Sequence, residues 1–264
     1  MPLYIRYQYN LLLSETNKRK SLLISPVTIP SMDIQLKEKP KSPIIVEGFP
    51  GLGLIGTIST EYLIKHLGAK SIGYISSQNL TPMVAIHESK VVQPLEVYYV
   101  KRKNLVILHA LADIRGMEWE IADALVQLYT MLKAKEIISL EGILGQNKEV
   151  NGYYYSSNLK NKGITKTKAD QLKEGVIMGV TAALLLKNQE MVTTGLFVET
   201  HSKLPDSRAA AKIIEMLDGY LSLGVDYKPL EQAAAEFEEK LQGYVEKMRN
   251  TAKKTDEKAV NYVG

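Results

Sequence analysis

The stretch that decides the fold is Glu47-Gly-Phe-Pro-Gly-Leu-Gly-Leu-Ile-Gly56. A short apolar run over 44–47 leads into it, and a helical pattern follows it to Leu67 and ends at Gly68. The decapeptide is therefore predicted to be the turn between a strand and a helix. Its glycines at positions 51, 53 and 56 have the Gly-x-Gly-x-x-Gly spacing of a dinucleotide-binding turn.

Two roles for this turn stay open. In a dinucleotide-binding fold such glycines let the backbone approach a pyrophosphate, and an acidic residue about 20 positions further on binds the ribose. Here the second predicted strand runs into the uncharged segment 76–78, and no P-loop lysine follows the glycines. The favoured interpretation is a structural glycine turn that allows close contact between strand and helix. Its members are Gly48, Gly51, Gly53 and Gly56.

Short strands and helices alternate along the chain up to about residue 225. Strands are predicted at 71–75, 84–87, 95–101, 104–110, 136–140, 152–156 and 191–199, and helices at 117–132, 175–186 and 205–223. The strands 95–101 and 104–110 are joined so tightly that they are expected to be antiparallel. The alternation predicts an α/β layer fold with a mostly parallel sheet and additional antiparallel strands.

The pattern divides the chain into four parts. Residues 1–42 are an N-terminal arm without a sustained period, and Met32 is an alternative natural start that would make the preceding segment an over-long gene prediction. Residues 43–228 hold the α/β domain. Residues 229–252 are a predicted amphipathic helix, and residues 253–264 are a tail without any period.

The C-terminal helix repeats its apolar residues with the four–three spacing of a coiled-coil heptad. The seam consists of Leu230, Ala234, Phe237, Leu241, Tyr244, Met248 and Thr251. Such a seam either packs back on its own domain or joins copies of the chain into a homo-oligomer. Both alternatives stay open at this point.

Composition and charge exclude several classes of function. The chain has 264 residues with 45% hydrophobic residues and no cysteine, so thiolate metal sites and cysteine nucleophiles are excluded. Most of the net charge of +4 lies in the first 31 residues, so the rest lacks the clustered positive charge that nucleic-acid binding needs. The longest apolar stretch, 175–186, is too short to span a bilayer, and no signal-peptide core is seen. We therefore expect a cytoplasmic protein that binds neither nucleic acid nor membrane.

A set of polar residues follows the predicted strands. It comprises Glu47, Asp113, Glu141, Glu199 and His201. At the carboxyl edge of a parallel sheet these groups would converge in a crevice, where paired carboxylates can act as acid and base. The alternative is a set of ordinary solvated loop residues. The four histidines have no metal-ligand spacing, so no metal or cofactor is expected, and the single Trp119 is expected to anchor the core.

Several segments taken together resemble the proteasome assembly chaperone family, in particular its archaeal homologues. They are the motif 47–56, the strand–helix block 105–132, the segment 174–186, Glu199-Thr200, Pro205-Asp206 and the alanines 209–211. The resemblance covers residues 43–235. It implies a three-layer αβα sandwich that is similar in architecture to nucleoside phosphorylases but is not an enzyme.

The resemblance also implies a partner, the proteasome core particle. Archaeal members look like homo-oligomers whose C-terminal tails enter pockets between the α-subunits, with a tail motif of a hydrophobic residue, a tyrosine and any last residue. Here the tail ends in Tyr262, Val263 and Gly264, so the tyrosine is third from last and follows the polar Asn261. Either the docking is degenerate or the tail does something else. The expected function is an assembly chaperone or activator of the core particle; a nucleoside- or nucleotide-binding enzyme that uses the strand-end crevice is the alternative.

Overall fold

The computed structural model describes residues 32–87, 89–145, 150–158, 162–187, 191–200 and 204–232, and also Gly243. The strands are β1 (Asp33–Leu36), β2 (Ile44–Gly48), β3 (Lys70–Ser76), β4 (Ala85–His87), β5 (Lys90–Val92), β6 (Leu95–Val100), β7 (Leu105–Ala110), β8 (Glu136–Leu144), β9 (Gly152–Ser156), β10 (Asp170–Gln171) and β11 (Thr193–Thr200). The helices are α1 (Ile55–Leu67), α2 (Glu118–Leu132), α3 (Gly179–Lys187), α4 (Ser207–Leu221) and α5 (Lys228–Gln232).

Nine of these strands form one sheet in the order β1-β3-β6-β7-β2-β8-β11-β9-β10, and β4 and β5 form a separate hairpin. The central strands β7, β2, β8 and β11 are parallel to one another. The strands β6 and β9 run antiparallel to them, whereas β3 is antiparallel to β6 and therefore runs in the same direction as β7. β6 and β7 pair as the sequence predicts. The antiparallel share is larger than expected, so the sheet is mixed rather than mostly parallel.

Helices cover both faces of the central strands because those strands are apolar on both sides. Every residue of β7 and of β11 is buried, which is typical of parallel strands between two helical layers. α1 and α4 pack on one face against Val46, Ile107 and Ile138. α2 and α3 pack on the other face, where the core contains Ile45 and Leu108. The structure is thus a mixed α/β fold with helices on both sides of a large sheet.

The sheet begins earlier than the sequence predicts. Residues 33–36, which the pattern assigns to the N-terminal arm, form β1 and pair with β3 so that Asp33 lies opposite Ser76. Met32 is buried in the core. The strand was missed because four residues of alternating exposure on a sheet edge give too short a signal. Residues 1–31 of the arm lie outside the described residues.

The helix predicted at 175–186 is shorter than expected. α3 begins only at Gly179, which has a φ of +79°. The apolar residues Val176 and Met178 precede it and are exposed. Hydropathy alone cannot distinguish an apolar helical turn from an apolar exposed segment, so the start of this helix was misplaced.

The C-terminal helix is described only at its start. In α5, Leu230 is fully buried in the domain's own core. This one seam position therefore packs back on its own domain. The other predicted seam residues, Phe237, Leu241, Tyr244 and Met248, lie outside the described residues, as do the tail residues Tyr262, Val263 and Gly264. Among the residues that are described, no helix is long and apolar enough to cross a membrane.

Candidate functional site

The turn between β2 and α1 is closed by direct contact between backbones. A Cβ atom at Gly48 would lie 2.2 Å from the carbonyl oxygen of Gly56, and one at Gly56 would lie 2.6 Å from the carbonyl oxygen of Leu140. Any side chain at these two positions would push α1 away from β2 and β8. Glycine is therefore required here by contact between the helix and the sheet.

The other two glycines of the motif have different environments. Gly53 has a φ of +62° and is buried, so its backbone conformation favours glycine. Gly51 has extended backbone with a φ of −141°, and a Cβ there would have no atom nearer than 3.9 Å. The three glycines of the Gly-x-Gly-x-x-Gly spacing therefore differ in what requires them. Gly53 is favoured by its positive φ and Gly56 by its contact with backbone atoms, whereas Gly51 has room for a side chain.

Asp206 ties the turn to the end of β11 and the start of α4. Its backbone N–H donates to the carbonyl oxygen of Gly53 at 2.8 Å. Its carboxylate accepts from the Thr200 hydroxyl at 2.7 Å and from the Ala209 N–H at 3.0 Å, which caps α4. A negative side chain therefore lies beside the turn where a nucleotide phosphate would have to approach, which disfavours binding of an anion.

The strand-end carboxylates Glu47 and Glu141 come together on the face covered by α2 and α3. Glu47 lies opposite Ser139 in the pairing of β2 with β8, and Glu141 is two residues further along the same face. Burial raises the pKa of Glu47 to about 8, the nearby Ser139 side chain lowers it and the charge of Glu141 raises it further. Among the described residues, neither Glu47 Oε1 nor the Ser139 hydroxyl completes a hydrogen bond.

Glu141 is held by the first turn of α3. The Thr181 hydroxyl donates to its carboxylate. Burial raises the pKa of Glu141 to about 7, whereas hydrogen bonds from the Thr181 side chain and backbone lower it. Two carboxyl groups with pKa values near neutrality are typical of acid–base sites. Glu47 is only 1% exposed, however, so a substrate has no direct contact with its carboxyl group.

The other members of the strand-end set do not join this pair. The Asp113 carboxylate accepts from Arg115 Nε at 2.8 Å in an ion pair at the surface. Glu199 accepts from Asn151 Nδ2 at 2.8 Å and from the Tyr153 hydroxyl at 3.3 Å. His201 lies outside the described residues. In place of the predicted crevice, the buried Glu47 lies near the half-buried Glu141, and Asp113 and Glu199 are each bound to their own partners.

A second buried polar group lies on the opposite face and was missed from the sequence. His109 in β7 is 1% exposed, and its Nδ1 lies 2.8 Å from the Thr60 hydroxyl of α1. Its Nε2 lies 3.4 Å from Glu61 Oε2. The contacts join β7 to α1 through polar atoms. The sequence gives the histidine and the helix separately, but only the strand order shows that they face each other.

Trp119 is not a core anchor, contrary to the expectation from sequence. It is 52% exposed in the first turn of α2, and Lys187 Nζ lies 5.2 Å from the centre of its ring. This cation–π contact covers one face of the ring and leaves the rest accessible.

Residues 45–245 match the sequence profile of the PAC2 family. This span is about three quarters of the chain and contains the glycine turn, Glu47, Glu141 and Asp206. The chain belongs to the PAC2 family.

Solved structures and curated relatives agree with this assignment. Pyrococcus furiosus PbaA, described as an archaeal homolog of proteasome-assembly chaperone, is 30% identical with a TM-score of 0.75, and the alignment covers 84% of this chain and 99% of PbaA. Pyrococcus furiosus PbaB, described as an archaeal proteasome activator, shares the fold with 24% identity and a TM-score of 0.66 over 81% of this chain and 98% of PbaB. An uncharacterised protein of Methanocaldococcus jannaschii is 29% identical over 212 residues, which are 78% of this chain and 87% of that protein.

In this PAC2 family member the segments that carry the resemblance meet one another in space. The motif 47–56 contacts β8 through Gly56 and accepts a hydrogen bond from Asp206 of the Pro205-Asp206 segment. The segment 174–186 contributes Thr181, which donates to Glu141. These residues position helices on the sheet, so the segments first quoted as motifs form structural contacts.

Proposed function

We propose that this PAC2 family member is a non-enzymatic proteasome-binding factor that acts as an assembly chaperone or activator of the core particle. The observation that carries the proposal is the match to PbaA, which covers 99% of that protein with 30% sequence identity and a TM-score of 0.75. The fold shared with PbaB, an archaeal proteasome activator, is consistent with a role at the proteasome.

The arrangement of acidic residues at the carboxyl ends of the central strands supports a role without catalysis. Glu47 is closed off from solvent, and Asp206 places a carboxylate beside the glycine turn. An enzyme that acts on small molecules needs acid–base groups within reach of its substrate, and the carboxyl group of Glu47 is not within such reach. Binding of another protein needs no such access.

The proposed mode of binding uses the C-terminal tail. Tyr262, Val263 and Gly264 would enter pockets between the α-subunits of the core particle, where the aromatic ring is buried and the terminal carboxylate meets a lysine. A single short peptide loses entropy when it is ordered, so it binds weakly. A homo-oligomer that presents several tails raises the overall affinity by roughly 10²–10⁴-fold through effective concentration.

In this proposal the assembly uses the part of the heptad seam that follows Leu230. Leu230 is buried in the core of its own domain, so in this proposal contact between copies in the helix begins at Phe237 and continues through Leu241, Tyr244 and Met248. The helix then spaces the tails from the α/β domain.

The proposal is tested by co-purification from the native host with an affinity tag at the N-terminus, so that the C-terminus stays free. Recovery of the proteasome α-subunits in amounts comparable to the bait is the expected result. A tagged chain that recovers no α-subunit under conditions of low salt and mild crosslinking would contradict the proposal.

One observation favours the second candidate, a nucleoside- or nucleotide-binding enzyme. The raised pKa values of Glu47 and Glu141 are of the kind found in acid–base sites. This candidate requires that Glu47, which is 1% exposed, become accessible to a ligand. A rise of several degrees in Tm with one nucleoside or nucleotide would support it.

A further inference from the structure

Exposed lysine and arginine side chains collect at one end of this molecule. They lie at the amino edge of the sheet, where the strands β3, β2 and β8 begin, and in the turn between β6 and β7. We name these exposed side chains the basic edge. They are Lys41, Lys70, Lys101, Arg102, Lys133 and Lys135.

Backbone contacts bring these residues together from distant parts of the chain. Ser42 N–H donates to the carbonyl oxygen of Leu132 at 2.9 Å, which places Lys133 beside the segment that leads into β2. Asn104 Nδ2 donates to the carbonyl oxygen of Lys41 at 3.1 Å, which joins the same segment to the turn 101–103. The strands β3, β6, β7, β2 and β8 are successive neighbours in the sheet. At a spacing of about 4.8 Å between strands, the basic edge therefore extends over roughly 20 Å.

The fold separates charges that are mixed along the sequence. Of the net charge of +4, +3 lies in residues 1–31, so residues 32–264 carry only +1. Acidic residues such as Glu118 and Glu120 begin α2 at the carboxyl edge. Acidic groups are also present near the basic edge, but Glu136 is buried and Asp218 accepts a hydrogen bond from the Gly224 N–H. A nearly neutral domain thus has one positive end.

Only part of this positive charge stabilises the fold. Lys133 directly follows α2, where a cation interacts favourably with the carboxyl end of the helix. Lys41 and Lys70 lie at the beginnings of strands, which have little net dipole. Like charges gathered on one surface repel one another, so a basic edge beyond what the helix ends require indicates an acidic partner.

The C-terminal segment leaves the domain beside the basic edge. Lys103, which follows Arg102 in the turn between β6 and β7, donates from Nζ to the carbonyl oxygen of Ser222 at 2.6 Å. Ser222 directly follows α4, so this helix ends at the amino edge. The part of the chain that is proposed to bind the core particle therefore starts on the positive side of the domain.

We propose that the basic edge binds an acidic surface of the protein partner that the C-terminal segment engages. The inference rests on the proposed function for the identity of this partner, the proteasome core particle, whereas the acidic chemistry follows from the basic edge alone. Complementary charge of this kind speeds association and makes binding sensitive to salt.

Two features favour a protein over a nucleic acid or an anionic membrane. Arg102 is the single arginine of the basic edge, and arginine is the residue that contacts phosphate in bidentate fashion. Trp119 is the one aromatic side chain of the described residues that is more than half exposed, and it lies at the carboxyl edge. The basic edge therefore lacks an exposed ring, among the described residues, that could stack on a base or enter a membrane surface.

The test measures binding of the full chain to the purified core particle at about 50 mM and about 200 mM salt. The double variant Lys101→Glu with Lys135→Glu reverses two exposed charges of the basic edge. Lys90→Glu with Lys173→Glu is the matched control, because it makes the same change in charge at exposed residues away from the basic edge. Circular dichroism and Tm establish that each variant folds. A labelled peptide of about twenty glutamates and a single-stranded DNA of equal charge are additional probes.

We expect the basic-edge variant to bind the core particle at least roughly tenfold more weakly than the wild type at the lower salt, and the control to bind like the wild type. The wild type should also lose more affinity between the two salt concentrations than the basic-edge variant does. Equal binding by the two double variants would overturn the inference. So would DNA that binds the wild type at least about tenfold more tightly than the glutamate peptide, because the partner would then be a nucleic acid.

The glutamate peptide separates this inference from the proposed function. A wild type that does not bind the core particle contradicts the proposed function, and the peptide then decides the inference. Peptide binding that is about tenfold weaker in the basic-edge variant than in the control would support an acidic partner. Equal peptide binding by the two double variants would overturn it.

Discussion

A Cβ atom added at Gly48 would lie 2.2 Å from the carbonyl oxygen of Gly56, and the two next-nearest atoms would also be backbone atoms of Gly56. A backbone cannot turn aside as the end of a flexible side chain can. The distance between β2 and α1 is therefore set by the absence of side chains at these two residues.

The first prediction compares two glycines of the same motif. Gly48→Ala should destabilise the fold by roughly 3 kcal/mol, because the added methyl group forces the helix from the sheet, and should lower the Tm by about 6–12 °C. Gly51→Ala should change stability by less than about 0.5 kcal/mol because its Cβ position is open. Thermal and urea unfolding of both variants measure the difference. Equal effects at the two positions would contradict the structural role of the turn.

The second prediction concerns Asp206, which connects three elements. Asp206→Ala removes the acceptor for the Ala209 N–H and the Thr200 hydroxyl, so the free energy of unfolding should fall by about 1–2 kcal/mol. Asp206→Asn keeps an acceptor oxygen for the helix cap and should lose less than half as much. Urea unfolding at neutral pH distinguishes the two. A loss in Asp206→Asn as large as in Asp206→Ala would mean that the negative charge, and not the cap, is what stabilises.

Only the local features of the glycine turn could be predicted from the sequence. The strand–turn–helix around Gly48 and the antiparallel pair β6–β7 are local features, and the pattern predicted both. The contacts of Gly56 with Leu140 and of Asp206 with Gly53 join residues far apart in the chain, and they depend on the strand order β7-β2-β8-β11. A single sequence contains no signal for that order.

The contacts of the polar side chains could also be predicted only in part, because they too depend on the strand order. The rule that strand ends meet at one edge correctly placed Glu47 near Glu141, but it also grouped them with Asp113, which has its own partner in Arg115. The pairing of His109 with Thr60 and Glu61 was missed because it crosses from sheet to helix. Trp119 was predicted to lie in the core because tryptophan is on average a largely buried residue. It is 52% exposed because it lies in the first turn of α2, at the surface.

The third prediction is a dependence of stability on pH that comes from Glu47. Its pKa is raised from 4.5 to about 8 in the folded protein by burial. The folded state therefore binds this proton more tightly than the unfolded chain, and the free energy of unfolding should fall as the pH rises from about 4.5 to about 8. Urea unfolding at pH 5, 7 and 9 measures the slope.

Two variants isolate this contribution. Glu47→Gln carries no titrating proton, so its loss of stability between pH 5 and pH 9 should be smaller than that of the wild type by on the order of a few kcal/mol. Asp113→Asn, at an exposed ion pair, should keep the wild-type slope over this range. An unchanged slope in Glu47→Gln would show that the carboxyl group is not buried in its protonated form.

The fourth prediction addresses the glycine motif as a nucleotide site. Because the Asp206 carboxylate lies beside the turn and two of its glycines contact backbone or adopt a left-handed conformation, ATP, NAD and AMP at millimolar concentration should raise the Tm by less than about 1 °C. Asp206→Asn serves as a comparison because it removes the charge beside the turn. A rise of several degrees in the wild type would favour the enzyme alternative.

The most direct test of the account is the affinity of the purified proteasome core particle for the full chain and for a chain that ends at residue 252. Both proteins should have the same number of subunits, because in the proposed organisation residues 253–264 belong neither to the domain nor to the seam. The account predicts that the full chain binds the core particle and that the truncated chain binds at least 100-fold more weakly. Equal binding by the two proteins would contradict docking through the tail, and the absence of binding by either would contradict the proposed function itself.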